Sequence, residues 1–323
     1  MEDIFVNRLI LSLAFVAGIA AAAPPPIAYP YKIVTTIGMV NDMVSAVAGD
    51  LATCEPLIGA GIDPHLYTTT RGDMVKLLKA DAVFYCGLML EGRMSEALEK
   101  VGRRGRTVFA VTDGIDKSKL LSPEDFEGHH DPHVWMDVKL WIQASQAVEE
   151  KLASFDPKNT IQYAKNQARY AMTLEKLDAY VKRVIGTVPE PKRVLVTAHD
   201  AFNYFGRAYN MEVLGIQGIS TESEAGLRRI NQLVISLSKR RVRAVFMETS
   251  VSDRNVRALI EGTASMGHII KVGGELFSDA MGPAGTYEGS YIGMLDHNAT
   301  TIARALGGEA PVKGFMGKLR GKH

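Results

Sequence analysis

The stretch Asp156-Pro157-Lys158-Asn159-Thr160-Ile161 begins the segment that decides the fold of this 323-residue chain. An aspartate N-cap followed by proline in the first turn is a typical helix start. Apolar residues then recur every three or four positions as far as about residue 185, which predicts one long helix with a single apolar face. The predicted face consists of Ile161, Ala164, Ala168, Ala171, Leu174, Leu177, Val181 and Val184. Such a helix spans roughly 45 Å, enough to connect two domains. Its alanines are less typical of the alternative, a coiled coil.

Short strands rich in β-branched residues alternate with helices on both sides of this segment. The predicted strands are 31–37, 53–58, 82–86 and 107–111 before it, and 194–198, 212–216, 244–248 and 269–272 after it. This alternation predicts parallel sheets with helices on both faces. We therefore expect an α/β protein with two doubly wound lobes, residues 30–156 and 188–307, joined by a linker helix at 157–187.

The two ends of the chain have different compositions. An apolar run at 9–23 follows Arg8 and precedes three prolines, which predicts a signal peptide at 1–23 and export to the periplasm or another extracytoplasmic space. Glu2 and Asp3 are unusual in such a leader, and an uncleaved membrane anchor is the alternative, although the run is shorter than the roughly 20 residues of a membrane span. Lysine and glycine at 308–323 predict a basic flexible tail.

Charge and cysteine content exclude several classes of protein. The 37 basic and 36 acidic residues nearly cancel and are interspersed, so we expect no nucleic-acid partner. We also expect a monomer. The chain has two cysteines, Cys54 and Cys86, in predicted strands that another strand separates, which favours free thiols over a disulfide bond.

The tripeptide Asp-Pro-His occurs twice, at Asp63-Pro64-His65 and Asp131-Pro132-His133. Proline fixes its own backbone and restricts the residue before it, so each histidine leaves a rigid turn in a defined direction. Both histidines follow predicted strands, as do His199 and Asp279. Because ligands of parallel sheets bind outside the carboxyl ends of the strands, these four residues are candidates for one site.

Three imidazoles and one carboxylate are typical ligands for zinc and other divalent first-row metals, with manganese bound less tightly. Calcium and magnesium prefer oxygen ligands. We therefore predict a metal site formed by His65, His133, His199 and Asp279. Asp200 and Glu248 are candidates to orient the histidines, or ordinary caps. His129 and His130 are either auxiliary metal contacts or solvated surface residues.

Five motifs of this chain resemble the solute-binding receptors of zinc and manganese ABC importers, the TroA-like and ZnuA-like family. They are Gly61-Ile62-Asp63-Pro64-His65-Leu66-Tyr67, Asp131-Pro132-His133-Val134-Trp135, Val196-Thr197-Ala198-His199-Asp200-Ala201-Phe202, Gly215-Ile216-Gln217-Gly218-Ile219-Ser220 and Gly274-Glu275-Leu276-Phe277-Ser278-Asp279. The resemblance runs from about residue 32 to 306. It implies two α/β lobes joined by one rigid helix, with a metal buried between them on the same four residues, and an ABC-importer permease as partner.

Two features bear on which metal is bound. The long His-rich loop of many zinc-dedicated members is reduced here to residues 127–130, and the third ligand is His199, whereas manganese-dedicated members commonly have glutamate there. The chain thus resembles the His-His-His-Asp subgroup, and both Zn(II) and Mn(II) are expected as transported ligands. The alternatives from other classes are a secreted zinc-dependent hydrolase and a metal-stabilised surface adhesin. Neither His-Glu-x-x-His nor Gly-x-Ser-x-Gly occurs in the sequence, which disfavours the hydrolase.

Overall fold

The structure, a computed structural model, describes residues 28–126 and 128–320. The predicted leader at 1–23 and the last three residues of the predicted tail lie outside this range. In the described part of the chain, no helix has both the length and the apolar character needed to cross a membrane.

The N-terminal lobe is built on one parallel sheet with the strand order β2-β1-β3-β4. Its strands are β1 (Tyr31–Thr35), β2 (Ala52–Pro56), β3 (Ala82–Tyr85) and β4 (Thr107–Ala110), and its helices are α1 (Gly38–Ala48), α2 (Arg71–Lys79), α3 (Ser95–Arg103) and α4 (Val138–Phe155). On the central strand, Ile33 pairs with Cys54 on one side and with Ala82 on the other. Strand β1 therefore separates the two cysteines, and both are free thiols.

Polar caps fix where two of these helices begin. Thr70 and Asp73 form a capping box at the start of α2, in which each side chain bonds the backbone N–H of the other. Asp137 caps α4 by accepting the backbone N–H groups of Lys139 at 2.9 Å and Leu140 at 3.4 Å. The start of α4 matters for function, because the segment just before it carries His133.

The predicted linker is a single helix, α5 (Thr160–Gly186), of 27 residues or about 40 Å. The predicted apolar face is correct from Leu174 onward but wrong over the first turns, where Ile161 is 86% exposed. Tyr163 and Tyr170 point inward there instead. Their aromatic rings bury a large area, and this outweighs the regular spacing of the smaller side chains.

Hydrogen bonds explain how the polar face of α5 is buried. The hydroxyl of Tyr163 donates to Asp156 Oδ2 at 2.7 Å and lies 2.9 Å from the hydroxyl of Tyr31. One turn later, the amide of Asn166 donates to the carbonyl of Val47 at 3.0 Å. Because these buried polar groups have partners, a polar stripe can lie in the interior without a large desolvation penalty.

The C-terminal lobe contains two parallel strand pairs, β5 with β6 and β7 with β8, and β5 lies beside β7. Its strands are β5 (Val194–Thr197), β6 (Glu212–Gly215), β7 (Ala244–Glu248) and β8 (Lys271–Leu276), and its helices are α6 (Asn203–Tyr209), α7 (Leu227–Arg240), α8 (Arg254–Ser265) and α9 (Tyr291–Ala305). The predicted α/β architecture of two lobes with parallel sheets and one long connecting helix is confirmed.

Strand β8 differs from its predicted position at 269–272. Ile269 is 78% exposed, and the strand extends through Gly273 and Gly274 to Leu276. A Cβ on Gly273 would lie 2.7 Å from the ring of Phe246, and Gly274 has φ 150°, beside a register shift in the β7–β8 pair. The two glycines, which suggest the end of a strand, are instead required inside a bulged one.

The described part of the predicted flexible tail packs against the C-terminal lobe. The backbone N–H of Phe315 donates to both carboxylate oxygens of Asp296 at 2.8 Å, and its ring lies 5.3 Å from that of Tyr180. Tyr287 also donates to the buried Asp296 carboxylate. A buried carboxylate needs hydrogen-bond donors, and Asp296 finds one of them in this glycine-rich segment. The segment is therefore held in place, although its composition predicts flexibility.

The larger hydrophobic core does not stop at the boundary between the lobes. Buried side chains of the first sheet and α1 join those of α4 and α5, and continue through α6 and α9 of the C-terminal lobe. A second cluster, smaller in extent, lies among β5, β7, α7 and α8. Helix α5 therefore belongs to the core of both lobes.

Candidate metal centre

Four side chains, two from each lobe, converge between the lobes. His65 lies in the loop after β2, and His133 lies just before a short 3₁₀ turn, Val134–Met136. His199 lies two residues after β5, and Asp279 three residues after β8. Each is at most 4% exposed, and one ligand atom of each lies within 4.8 Å of the others. The structure thus brings together all four residues that the sequence selects.

The carboxylate of Asp279 lies at the centre of this group. Its Oδ1 is 3.3 Å from His133 Nε2, and its Oδ2 is 3.1 Å from His199 Nε2 and 3.7 Å from His65 Nε2. The Nε2 atoms of His65 and His133 are 3.3 Å apart. All three rings therefore present the same nitrogen, Nε2, to one carboxylate.

Several of these converging atoms lack a hydrogen-bond partner. His199 Nε2 and both Asp279 oxygens are buried, and among the described residues they have only the close approaches to the ring nitrogens given above, without a hydrogen bond of acceptable geometry. Unpaired buried polar atoms cost free energy, so they are rare in folded proteins. A divalent cation between the rings and the carboxylate would satisfy all of them, and three nitrogens with one carboxylate form a closed four-ligand shell of the kind that zinc prefers.

A carboxylate of the N-terminal lobe orients His133. Asp131 Oδ1 accepts the backbone N–H of His133 at 2.9 Å and lies 2.7 Å from its Nδ1. Tyr204 holds this turn in place by donating to the carbonyl of Asp131 at 2.9 Å. When His133 is neutral, such a pair keeps the proton on Nδ1 and leaves the lone pair of Nε2 facing the cluster.

Glu248 orients His199 in the C-terminal lobe in the same way. Its Oε1 accepts the backbone N–H of His199 at 2.9 Å, and its Oε2 lies 2.5 Å from His199 Nδ1. Glu248 is thus an orienting partner rather than an ordinary cap. Sequence reasoning did not single out Asp131, although the repeated Asp-Pro-His tripeptide contained the signal.

The third histidine has a different arrangement. Asp63 Oδ1 accepts the backbone N–H of His65 at 2.8 Å. Its other oxygen, Oδ2, accepts the hydroxyl of Thr221, which belongs to the C-terminal lobe, at 2.5 Å. Thr221 is a residue that no sequence motif indicates.

Burial and the neighbouring charges shift the pKa values of the site residues in opposite directions. Burial alone would lower the pKa of His133, but the carboxylates of Asp131 and Asp279 outweigh it and raise that pKa to about 9. The pKa of His199 is raised well above its usual value against the same effect of burial, by Glu248 and Asp279. Burial would raise the pKa of Asp279, but His199 and His133 hold it well below its usual range.

At His65 burial is the dominant influence, and the Asp279 carboxylate offsets it only in part, so the pKa of His65 is lowered to about 3. In the metal-free protein, His133 and His199 therefore hold protons at neutral pH, whereas His65 is neutral. A metal ion that binds here displaces protons from the two better-buried histidines.

Trp135 connects two of the candidate ligands, His133 of the N-terminal lobe and Asp279 of the C-terminal lobe. Its Nε1 donates to the carbonyl of Ser278 at 2.9 Å, next to Asp279, and its carbonyl accepts the hydroxyl of Tyr291 at 2.7 Å. Its ring also meets that of His133 edge-on at 5.3 Å. The segments carrying His133 and Asp279 are thereby fixed to each other.

The adjacent histidines of the loop lie outside the cluster. His130 Nδ1 is 2.9 Å from the hydroxyl of Ser122. His129 is exposed and packs on Phe126, and it lines a cavity of about 200 Å³ that reaches His65. An auxiliary role in metal capture therefore stays a prediction.

Comparison with known proteins identifies relatives along most of the chain. The family described as zinc-uptake complex component A, periplasmic (ZnuA), matches residues 33–305. The zinc-binding protein TroA of Treponema pallidum (strain Nichols) is 47% identical over 274 residues, which cover 85% of this chain and 88% of TroA. The manganese-binding lipoprotein MntA of Bacillus subtilis (strain 168) is 42% identical over 275 residues, with 85% and 89% covered.

A third relative and a solved structure extend this similarity. The metal ABC transporter substrate-binding lipoprotein SloC of Streptococcus mutans serotype c is 32% identical over 279 residues, which cover 85% of this chain and 89% of SloC. The structure of the periplasmic zinc-binding protein TroA from Treponema pallidum superimposes with a TM-score of 0.82, covering 85% of this chain and 99% of that structure.

Proposed function

This chain belongs to the ZnuA family of periplasmic zinc-uptake components, and from that premise we propose that it is the metal-binding receptor of an ABC importer. It captures Zn(II) or Mn(II) outside the cytoplasm and delivers the ion to a membrane permease. One observation carries the proposal: four buried side chains with metal-binding atoms converge from the two lobes, and three of those atoms make no hydrogen bond of acceptable geometry among the described residues.

The proposed ligands are His65, His133, His199 and Asp279. Four protein ligands form a closed shell, whereas catalytic zinc sites keep a position open for water or substrate. The arrangement therefore supports binding and transport rather than a hydrolase, and none of its contacts favours the adhesin alternative. The metal is the cargo of the protein.

The ligand set accommodates both metals but favours one of them. Three imidazoles bind zinc more tightly than manganese at equal concentration, in accordance with the usual order of divalent-metal affinities. The relatives are named for zinc and for manganese binding. We therefore propose that the relative supply of the two ions outside the cytoplasm decides which one this protein carries.

The proposed location and partners follow from the family. We propose that the chain is exported by its N-terminal segment, acts as a monomer, has no nucleic-acid partner and presents the loaded site to a permease. Interlobe contacts such as Trp135 with Ser278 and Arg93 with Glu222 at 2.8 Å oppose wide separation of the lobes. Release then requires small lobe movements and rearrangement of a ligand loop.

Metal content and uptake together test the proposed function. Protein purified without added metal is expected to contain about one zinc or manganese ion per chain by elemental analysis, and zinc should displace manganese in competition. Deletion of the gene should reduce cellular uptake of the metal that is found, and the wild-type gene should restore it. Unchanged uptake of both metals after deletion, or purified protein that binds neither ion, would contradict the proposal.

A further inference from the structure

The three histidines are each supported by a carboxylate, but the carboxylates differ in what else they bind. Each accepts the backbone N–H of its histidine: Asp131 for His133, Glu248 for His199 and Asp63 for His65. Asp131 and Glu248 also hold the ring Nδ1 of the same histidine, inside the same lobe. Asp63 holds the backbone of His65 alone, and its second oxygen accepts the hydroxyl of Thr221 across the cleft at 2.5 Å. Asp131 also accepts Asn203 Nδ2 of the C-terminal lobe, at 3.3 Å, but it keeps its bond to the ring of His133.

We propose that Thr221 is a positioning residue for His65, acting through Asp63, and that it makes this one ligand depend on closure of the two lobes. The inference rests on the proposed metal-binding function. It assigns a role to a residue that is not one of the four proposed ligands.

The geometry of the contact suits such a role. Thr221 is 7% exposed and lies in the segment between β6 and α7 of the C-terminal lobe. Its hydroxyl approaches Asp63 Oδ2 at 2.5 Å, a short distance of the kind found when a hydroxyl donates to a carboxylate. Because Asp63 Oδ1 already accepts the backbone N–H of His65, the carboxylate transmits the position of Thr221 directly to the backbone of the ligand.

The loop that carries His65 also abuts the opposite lobe at a second point. Gly61 has φ 72°, and a Cβ placed on it would lie 3.6 Å from the carbonyl oxygen of Thr249. The neighbours Ile62 and Leu66 are about two-fifths exposed, so little packing from the solvent side fixes the loop. Tyr67 anchors the far end of the loop to Asp73 of its own lobe at 2.8 Å, whereas Gly61 and Asp63 hold the near end against the C-terminal lobe.

This arrangement separates the three histidines into two groups. His133 and His199 keep their orienting carboxylates when the lobes move apart, because each pair lies within one lobe. His65 loses the contact between Asp63 and Thr221 as soon as that distance increases. We therefore expect His65 to leave the metal first on opening and to join it last on closing.

Two substitutions at Thr221 test the inference, with a matched control nearby. Thr221→Val keeps the shape of the side chain and removes the hydroxyl, whereas Thr221→Ser keeps the hydroxyl. Thr249→Val is the control, because it keeps the backbone carbonyl that faces Gly61 and removes only Oγ1, which is buried without a hydrogen-bond partner in the described part of the chain. Zinc dissociation into excess chelator should accelerate up to about 10-fold in Thr221→Val, the lower limit for partners that orient metal ligands, because Thr221 acts through Asp63. Thr221→Ser and Thr249→Val should remain close to wild type.

Cobalt(II) provides a readout that a loss of general stability would not change. Four-coordinate Co(II) absorbs strongly in the visible range, and this absorption weakens when a protein ligand is lost and water raises the coordination number to five or six. Thr221→Val should weaken the Co(II) absorption, while Thr221→Ser retains it. Wild-type dissociation rates and wild-type Co(II) spectra in Thr221→Val would overturn the inference.

A double-mutant cycle identifies the ligand through which Thr221 acts. In a His65→Ala background, Thr221→Val should have little further effect on zinc dissociation, since the ligand that it positions is already absent. Additive effects of the two substitutions would overturn the inference. They would leave the proposed function intact, because that function fails only if the wild-type protein binds no metal or supports no uptake.

Discussion

The two Asp-Pro-His turns have the same local sequence but different tertiary surroundings. At His133 the next residues, Val134 and Trp135, are fully buried, and Asp131 holds both the backbone and the ring of the histidine. At His65 the following residue, Leu66, is 42% exposed, and Asp63 holds only the backbone of the histidine. Both aspartates contact the other lobe, Asp131 through Asn203 and Asp63 through Thr221. The tripeptide fixes how the chain leaves the turn, whereas the surrounding fold decides whether the ligand is rigid or adjustable.

The pKa values of the two histidines record the same difference. Burial lowers both, but two carboxylates raise the pKa of His133 to about 9, while that of His65 falls to about 3. His133 is therefore stabilised as a cation in the metal-free protein, and His65 is not. We call the His133 turn, whose neighbours are fully buried, the base of the site, and the His65 turn, whose neighbour Leu66 is 42% exposed, its rim.

Removing each ligand in turn is the strongest test of this comparison. We expect His133→Ala to abolish stoichiometric zinc binding, together with the rise in melting temperature that zinc produces. That stabilisation is about 2.7 kcal/mol when free ligand is at 100 times Kd. His65→Ala should retain weaker binding through the three remaining ligands. Elemental analysis and thermal unfolding with and without zinc measure both effects.

His129→Ala is the matched control for these two variants, since His129 lies outside the cluster and should leave the stoichiometry unchanged. Equal loss of binding in His65→Ala and His133→Ala would remove the distinction between base and rim. Unchanged stoichiometry in both variants would contradict the ligand assignment itself.

Substitution of the orienting carboxylates should have a smaller effect. Asp131→Asn and Glu248→Gln keep the size of each side chain but change the partner of the ring Nδ1, and zinc affinity should fall about 10- to 100-fold. Asp63→Asn should cost less, because Asp63 supports the backbone rather than the ring of His65. Chelator competition gives the three affinities, and a larger loss at Asp63 than at Asp131 would reverse the comparison.

The smallest expected effect is in proton release. At neutral pH, zinc must displace the proton of His133, whose pKa is about 9, but none from His65, whose pKa is about 3. Calorimetry in buffers of different ionisation enthalpy should show fewer released protons in His133→Gln and an unchanged number in His65→Gln, measured at concentrations where each variant still binds zinc. The same number of released protons in both variants would show that the two turns do not differ in charge.

The direction of the pH dependence follows from the same values. Because protons compete with the metal for His133, zinc affinity should increase as the pH rises toward about 9. The stability of the metal-free protein depends on pH in the opposite direction. A histidine whose pKa is raised on folding stabilises the folded state fully below its unfolded pKa of about 6.5. This contribution is lost as the pH rises through about 9.

Sequence patterns predicted the elements that local chemistry determines. Strand and helix alternation predicted the two parallel lobes, and the position of His65, His133, His199 and Asp279 at strand ends predicted that they would meet. These inferences succeeded because side-chain periodicity and proline geometry are properties of short segments.

The features that the sequence did not reveal depend on distant partners. The inward face at the start of α5 follows from the pairing of Tyr163 with Asp156 and Tyr31, which no spacing rule contains. The bulge at Gly274 and the contact of Thr221 with Asp63 likewise require residues far apart in the chain to be adjacent. Burial and hydrogen bonding in the tertiary structure outweigh local preference at these positions.

Helix α5 has a consequence for any attempt to divide the protein into fragments. An N-terminal piece ending at residue 156 would lose Tyr163, Tyr170 and Leu174 from its own interior, and a C-terminal piece beginning at residue 188 would lose Val181 and Val184. Either piece would expose apolar surface that the intact chain buries. Transplantation of one lobe between relatives should therefore carry the whole of α5 with it and rebuild the facing side chains of the other lobe.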